Sequence, residues 1–403
     1  MTELIEVMNR SANWLLSNQD THTGGWADRP GRTVSTLNTA ETIIALLDAD
    51  VITAGDNRIQ RGVQFLLEHQ RTKGRNRGAW TRDVLGSRGK LYKIADMVRT
   101  SFAIRTLIKA GIGVNEEPVE NAVDWLIAIR NEDKGWGSRR GSPSALIPTC
   151  LALIALLEAY RARMNRCKQP ITDGLAFLVG KYHKAEGSFG DPGPLKAVHT
   201  IYATLVLQAA RGCELSPYLE KEKGAIGWLL EHPDEARKLV EERIKIDPSG
   251  RFDYGFLFMT DSLLIKVLTG SAYKEHRNSA LARNAIISLR DKMDESGGFF
   301  GYRVFSWSTA KVLSALSIAS SRYHEFPKRR PEYSGLKAGN FLLAFAVLLS
   351  IAVVYLAINK SFNMLHAVSF IFLMIASLLG YGKIGEKTFK ELVQSVLNIL
   401  RKK

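Results

Sequence analysis

The stretch Arg10-Ser11-Ala12-Asn13-Trp14-Leu15-Leu16-Ser17-Asn18-Gln19, followed by Gly24-Gly25-Trp26, introduces a phrase that the chain repeats. A small residue and an aromatic stand three apart, so they share one helix face, and a glycine-aromatic pair then breaks the helix. The phrase returns as Gly62-Val63-Gln64-Phe65-Leu66, Ala122-Val123-Asp124-Trp125-Leu126, Gly174-Leu175-Ala176-Phe177-Leu178 and Ala225-Ile226-Gly227-Trp228-Leu229. A sixth copy, Ala285-Ile286-Ile287-Ser288-Leu289, lacks the aromatic. The matching turns are Gly78-Ala79-Trp80, Gly135-Trp136-Gly137, Gly187-Ser188-Phe189-Gly190, Phe252-Asp253-Tyr254-Gly255 and Gly297-Gly298-Phe299-Phe300-Gly301. Units recurring at roughly 50 to 60 residues, each too small to bury its own apolar face, must stack to share a core.

A second, more apolar helix is expected in every unit, near 35–47, 94–110, 145–160, 198–210, 256–268 and 306–320. Runs such as Thr149-Cys150-Leu151-Ala152-Leu153-Ile154 are apolar on several faces, which predicts burial between an outer layer and a centre. Strand signals are nearly absent. Twelve alternating helices joined by short turns close most naturally as six inside six, an all-α, α/α toroid over residues 1–325. Two units carry extra material: a basic loop from Arg71 through Lys93, and Pro233 to Arg243, which reads as a charged helix.

After residue 325 the pattern stops. Residues 326–340 form a basic linker, with Pro327 and Pro331 bounding Lys328-Arg329-Arg330. The uncharged run from Phe341 to Ile358 would span roughly 27 Å as a helix, close to the hydrocarbon thickness of a bilayer. A short turn leads to a second apolar run through Phe362, His366 and Leu379. Residues 341–382 therefore read as a transmembrane hairpin. Basic residues flank both ends, so the charge rule places the N- and C-termini in the cytoplasm, making this a multi-pass membrane protein. Residues 383–403 read as a basic amphipathic tail helix. His366 is unusual in hydrocarbon and marks where hairpins would meet in a homo-oligomer.

The net charge of +15 favours anionic partners, foremost membrane lipids, and nucleic acid is not expected. Cys150, Cys167 and Cys213 form no CxxC pair, which excludes a disulfide framework and a cysteine zinc cluster. The acidic start Met1-Thr2-Glu3 does not read as a signal peptide, and none is expected there.

The first repeat resembles the glutamine-tryptophan repeat of squalene and oxidosqualene cyclases, and the second, Arg61 to Gln70 followed by Gly78-Ala79-Trp80, is similar to it with an inserted loop. Later copies replace the glutamine, as at Arg130 and Tyr182. The resemblance implies the terpenoid cyclase and protein prenyltransferase superfamily, and with it an α/α toroid, a central cavity lined by inner helices, and apolar or isoprenoid ligands.

The chemistry of that superfamily is harder to find. The Asp-x-Asp-Asp acid of class II cyclases does not occur, nor does a paired-aspartate motif for magnesium and diphosphate. Asp96, Asp261 and His199 are the isolated candidates for an acid or base. Cys150, His199 and Asp261 match the ligand types of a prenyltransferase zinc site without its spacing, so no metal and no other cofactor is expected. Polar residues at the inner-helix starts, Asn38, Asp96, Arg99, Thr149, His199, Thr200, Asp261 and Trp307, could ring a mouth where helix amides face an anion. Ordinary capping accounts equally well for such residues. Three functions follow: a membrane-anchored module that binds or senses an anionic or lipid-like ligand, an isoprenoid cyclase or prenyltransferase, and a membrane-perturbing effector, as in a defence system, with the toroid as sensor.

Overall fold

In the computed structural model of the chain, residues 3–85, 91–245, 253–258, 260–299 and 305–320 are described. In chain order the elements are α1 (Glu3–Ser17), α2 (Thr36–Asp48), α3 (Asn57–Glu68), β1 (Thr81–Leu85), β2 (Leu91–Ala95), α4 (Met97–Lys109), α5 (Glu117–Ala128), α6 (Leu146–Arg161) and α7 (Lys168–Val179). They continue with β3 (Tyr182–His183), β4 (Ser188–Phe189), α8 (Lys196–Arg211), α9 (Leu219–Glu231), α10 (Pro233–Arg237), β5 (Val240–Lys245), β6 (Asp253–Phe258), α11 (Thr260–Gly270), α12 (Lys274–Arg277), α13 (Ala280–Asp291) and α14 (Ser306–Ser320).

The apolar second helices form a closed inner ring, in which α2 packs on α4, α4 on α6, α6 on α8, α8 on α11, α11 on α14, and α14 on α2. Each outer helix leans on the inner helix of the preceding unit: α3 on α2, α5 on α4, α7 on α6, α9 on α8 and α13 on α11. The first outer helix, α1, packs on the last inner helix, α14, so the two ends of the repeat domain close the ring. Hydrogen bonds cross the same seam, with the Ser306 N–H donating to the Asp28 carbonyl at 2.9 Å and Arg10 Nη2 to the Glu295 carbonyl at 2.6 Å.

The repeated phrase has a definite mechanical role. Trp26, Trp80, Trp136, Phe189 and Phe299 are all fully buried. Each tryptophan indole donates back to the end of its own outer helix, at Leu15, Leu66 and Leu126. Their backbone N–H groups donate to a threonine hydroxyl of the following inner helix: Thr39 at 2.9 Å, Thr100 at 3.1 Å, and Thr149, Thr200 and Thr309 at 3.0 Å. The fifth unit departs from the pattern, since Thr260 donates to the carbonyls of Arg237 and Lys238.

The small residue of the phrase makes room for the preceding aromatic plug. A Cβ on Gly174 would stand 2.7 Å from both Trp136 Cζ3 and Leu153 Cδ2, and one on Gly62 would stand 2.9 Å from Trp26 Cζ3. Gly297 shows why the turn itself needs glycine: its φ is +95°, and a Cβ there would meet the Arg10 carbonyl oxygen at 2.7 Å. The glutamine ending the phrase brackets successive units. Gln19 Nε2 donates to the Gly24 and Arg58 carbonyls, and Gln70 Nε2 to those of Gly78 and Pro118. Where Arg130 replaces it, a 2.9 Å ion pair with Asp173 of α7 makes the same bridge.

Several expectations are corrected. Strands are present: β1 pairs antiparallel with β2, β3 with β4, and β5 with β6. The basic loop after α3 thus ends in a hairpin, and α4 starts at Met97 rather than near residue 94, because Asp96 caps it from extended backbone. The charged segment from Pro233 is helical only to Arg237. It then becomes β5, whose partner β6 contains the expected turn residues Asp253 to Gly255, so α11 starts at Thr260. Alternation of charged with β-branched or aromatic residues, as in Thr81-Arg82-Asp83-Val84 and Tyr92-Lys93-Ile94, suits a half-exposed strand and masks it as a basic loop. The proposed transmembrane hairpin at 341–382, with Phe341, Ile358, Phe362, His366 and Leu379, and the linker and tail around it lie outside the described residues. Among the described residues no helix is long and apolar enough to cross a membrane.

The threonine bonds predict a specific sensitivity. Thr149→Val leaves the buried Trp136 N–H without an acceptor and is expected to cost about 1–3 kcal/mol, whereas Thr149→Ser keeps the bond and costs less. Urea unfolding of both variants checks this, and a loss in Thr149→Val no greater than that in Thr149→Ser would count against the lost acceptor as the dominant cost.

Candidate functional site

The residues expected at the inner-helix starts turn out to be held in structural bonds. Asp96 caps α4, its Oδ1 accepting from the Arg99 N–H at 2.9 Å, while its Oδ2 lies 2.9 Å from Arg82 Nη2 and 3.3 Å from Arg99 Nη1. Asp261 is equally engaged. Its Oδ1 lies 3.1 Å from Arg237 Nε, and its Oδ2 accepts from Ser288 Oγ at 2.6 Å and Lys292 Nζ at 2.9 Å. Each carboxylate thus meets two basic side chains, and its oxygens are engaged in structural bonds. Thr149 and Thr200 are fully buried, and their hydroxyls hold Trp136 and Phe189. Asn38 is buried in the first turn of α2, and Trp307 is half-buried beside the Phe305 ring.

His199 differs, because its buried Nδ1 has no hydrogen-bond partner and a Cβ on Gly190 would collide with the ring. Burial lowers its pKa to about 4, against a smaller opposing pull from Asp191, so the ring is neutral at physiological pH. Cys150 lies within the wall, and burial raises its thiol well above the ordinary value, which disfavours the thiolate a metal needs. Among the described residues no group of three His, Cys, Asp or Glu side chains is placed to hold a metal.

The chemistry lies deeper in the ring. A cavity of about 240 Å³ opens between the inner helices, lined by all six of them. The lining follows one stripe, led by the second and fifth residues after each threonine that bonds a plug. These are Glu41 and Ile44 on α2, Phe102 and Arg105 on α4, and Leu151 and Ile154, with Glu158 one turn further, on α6. Tyr202, Leu205 and Ala209 of α8, Ser262 and Lys266 of α11, and Lys311 and Ser314 of α14 complete it. None of the residues expected at the mouth lines this cavity. The signal that could have found the lining was the recurrence of charge inside otherwise apolar helices, at Glu41, Arg105, Glu158, Lys266 and Lys311.

Most of these charges are paired. Lys311 Nζ lies 2.7 Å from Glu41 Oε1, and Lys109 Nζ lies 2.8 Å from Asp48 Oδ1 and 3.7 Å from Glu158 Oε1. Ser314 Oγ donates to Asp48 Oδ2 at 2.9 Å and accepts from Lys266 Nζ at 2.8 Å. Burial raises the Asp48 pKa, but nearby Lys109, Lys266 and Arg105 outweigh it, so the net shift is downward.

Two cations are left over. Among the described residues, neither Arg105 nor Lys266 makes an ion pair. Arg105 rests on the Phe102 ring at 5.5 Å, and its buried Nε has no hydrogen-bond partner. The hydroxyl of Ser262, also on the cavity wall, has none either. Lys266 is enclosed by protein, with part of its surface facing the cavity. Burial, and then Arg105, Lys311 and Lys109, lower its pKa to about 8 against the pull of Asp48.

No protein-family model matches the chain. A curated relative, the drimenyl diphosphate synthase of Streptomyces showdoensis, is 27% identical over 150 residues, or 36% of this chain and 26% of that protein. The match thus spans about a quarter of the relative's length. Among solved structures, the GH76A alpha-1,6-mannanase from Salegentibacter sp. HEL1_6 superposes with a TM-score of 0.56 at 9% identity, covering 79% of this chain and 99% of the other. The type II terpene cyclase MstE from Scytonema, bound to its substrate geranylgeranyl dihydroxybenzoate, gives 0.52 at 14% identity, covering 79% and 97%.

A mannanase and a terpene cyclase sharing one ring establish the architecture and leave the reaction open. The chain is a terpene-cyclase-like α/α toroid with a charged centre. It has no two adjacent aspartates, the feature whose replacement inactivates the mannanase.

The environment of His199 sets an acid limit on stability. With a pKa of about 4 in the folded chain and 6.5 ordinarily, the unfolded state takes up a proton first as pH falls. The contribution is whole above pH 6.5 and shrinks toward pH 4. Urea midpoints at pH 7 and pH 5 are expected to differ less in His199→Gln than in the unaltered protein.

Proposed function

We propose that this toroid is a binding module whose central cavity seats a small anionic ligand, and that it does not cyclise isoprenoids. The observation that carries this reading is the pair Arg105 and Lys266, which line one cavity and, among the described residues, make no ion pair, while Glu41, Asp48 and Glu158 nearby are already paired. Leaving buried cations unpaired is costly, and an anion between them would relieve that cost. Such residues trade stability for binding.

The likeness to drimenyl diphosphate synthase favours a second reading, an isoprenoid cyclase. The cavity argues against it. Protonating an alkene creates a carbocation, and Arg105 and Lys266 would raise the energy of a cation formed between them. Asp96 and Asp261, the candidate acids, are each held by two basic side chains.

Arg105→Met and Lys266→Met are expected to raise the melting temperature of the unliganded protein by about 2–4 °C, where residues with a structural role would lower it. Phosphate and small carboxylates should raise the melting temperature of the unaltered protein and leave that of the variants unmoved. Turnover of geranylgeranyl diphosphate that is lost in Asp96→Asn or Asp261→Asn would overturn the proposal in favour of the cyclase.

The same reading includes a membrane anchor for the module at 341–382, supported by the length and apolarity of that stretch. The full chain is expected in the alkali-resistant membrane pellet after fractionation, and a chain ending at residue 340 in the supernatant.

A further inference from the structure

Lys266 has a second property that an anion seat alone does not use: it is an amine. Among the described residues its one hydrogen-bond acceptor is Ser314 Oγ at 2.8 Å, and that hydroxyl is turned away by its own bond to Asp48 Oδ2. The ammonium is therefore anchored on one side and faces the cavity on the other. Arg105, across the ring on α4, presents a guanidinium with no carboxylate partner to the same space. Ile44, Leu151, Ile154 and Leu205 add aliphatic surface to the wall, beside the paired charges of Glu41, Glu158 and Lys311.

We infer that Lys266 captures a carbonyl compound as an imine, and that the preferred class is a small 2-oxo acid whose carboxylate is held by Arg105. This rests on the central cavity being an anion site. In the reaction, Lys266 Nζ in its neutral form adds to the carbonyl carbon, and a carbinolamine forms. The two protons of Nζ leave with the carbonyl oxygen as water, and the C=N bond replaces C=O. No oxidant or reductant is needed.

The free hydroxyl of Ser262, on the same helix and cavity wall, is available to donate to the departing oxygen. Burial and the cationic neighbours Arg105, Lys311 and Lys109 bring the amine to about 8, where it is partly neutral at physiological pH. Asp48 opposes this, while Glu41 and Glu158 are engaged with Lys311 and Lys109. A surface lysine holds on the order of a hundredfold less neutral amine at the same pH. A desolvated lysine beside another cation is a recognised way to make an amine nucleophilic.

Reductive trapping tests this. The full chain is incubated with pyruvate and cyanoborohydride at pH 7.5, and the labelled lysines are mapped by peptide mass spectrometry. Lys266 is expected to label at least about tenfold faster than the typical surface lysine, with a rate that rises with pH and levels off above about 8. Lys266→Arg should abolish that label while keeping the thermal profile. Arg105→Met should slow labelling at Lys266 by pyruvate about tenfold or more beyond its effect on labelling by acetone, which has no carboxylate and registers only the rise in Lys266 proton affinity when Arg105 is removed.

Labelling spread evenly over surface lysines, or labelling at Lys266 indifferent to Arg105, would overturn the inference. If pyruvate raises the melting temperature without trapping Lys266, the anion seat stands and the imine fails. If neither occurs, the cavity reading fails with it.

Discussion

Six helices packed in a ring cannot close on their own axis. With helix diameters of about 10 Å, the hole at the centre is itself about one helix wide, too large for the apolar side chains of the wall to fill by interdigitation alone. A ring so built must fill its centre with long side chains, water or ligand. This chain uses long charged side chains, and their arrangement follows from that geometry. Glu41, Arg105, Glu158, Lys266 and Lys311 line the hole, and Asp48 and Lys109 bond to residues that do. Charges enclosed this far from bulk water are tolerated only when they meet one another, so Lys311 pairs with Glu41 and Lys109 bridges Asp48 and Glu158. The centre thereby also ties α14 to α2 and α2 to α4, across the junction where the repeat closes.

The outer half of the molecule was legible in the sequence because it repeats. A small residue at Gly62 or Gly174, an aromatic three residues on and a tryptophan in the next turn describe one plug and one socket, and any copy helps to read the others. The expected limits of the second helices agree with the structure to within a few residues wherever a unit lacks an insertion, as in α2, α6 and α14. Agreement fails in the second and fifth units, where hairpins occupy the space before α4 and α11. Their strands mix charge with β-branched and aromatic residues, a local pattern that a repeat-based reading assigns to loop or charged helix.

The site was less legible for a different physical reason. Thr100, Thr149, Thr200 and Thr309 recur because a backbone N–H must be satisfied at each plug, and that recurrence looks like a ring of ligand donors when only helix starts are visible. The cavity charges do not recur by type. Position by position the stripe changes from acid to base to alkyl, and only closure of the ring shows that Asp48 and Lys109, or Ser314 and Lys266, meet. Function in a repeat fold resides where copies differ, so the feature that reveals the architecture hides the site.

The unpaired pair is what separates a lined hole from a seat. A chain that satisfies Glu41, Asp48 and Glu158 with Lys311 and Lys109 has the means to satisfy every charge it encloses. An acidic residue at Ile154 or Leu205, both on the lining, would complete the set without changing the fold. Instead those positions are aliphatic, and the Arg105 guanidinium rests on the Phe102 ring and, among the described residues, meets no carboxylate in an ion pair. Within a cavity of about 240 Å³, Arg105 and Lys266 repel each other through a medium of low polarisability, and the pKa of Lys266 is lowered chiefly by burial, with Arg105, Lys311 and Lys109 adding to it against the pull of Asp48. The free energy so stored is recovered when an anion enters or when Lys266 loses its proton. Both routes converge on the same lysine, so ligand affinity and proton affinity at the centre of this toroid are coupled: an anion that binds there raises the proton affinity of Lys266, and a proton that leaves weakens the hold on the anion.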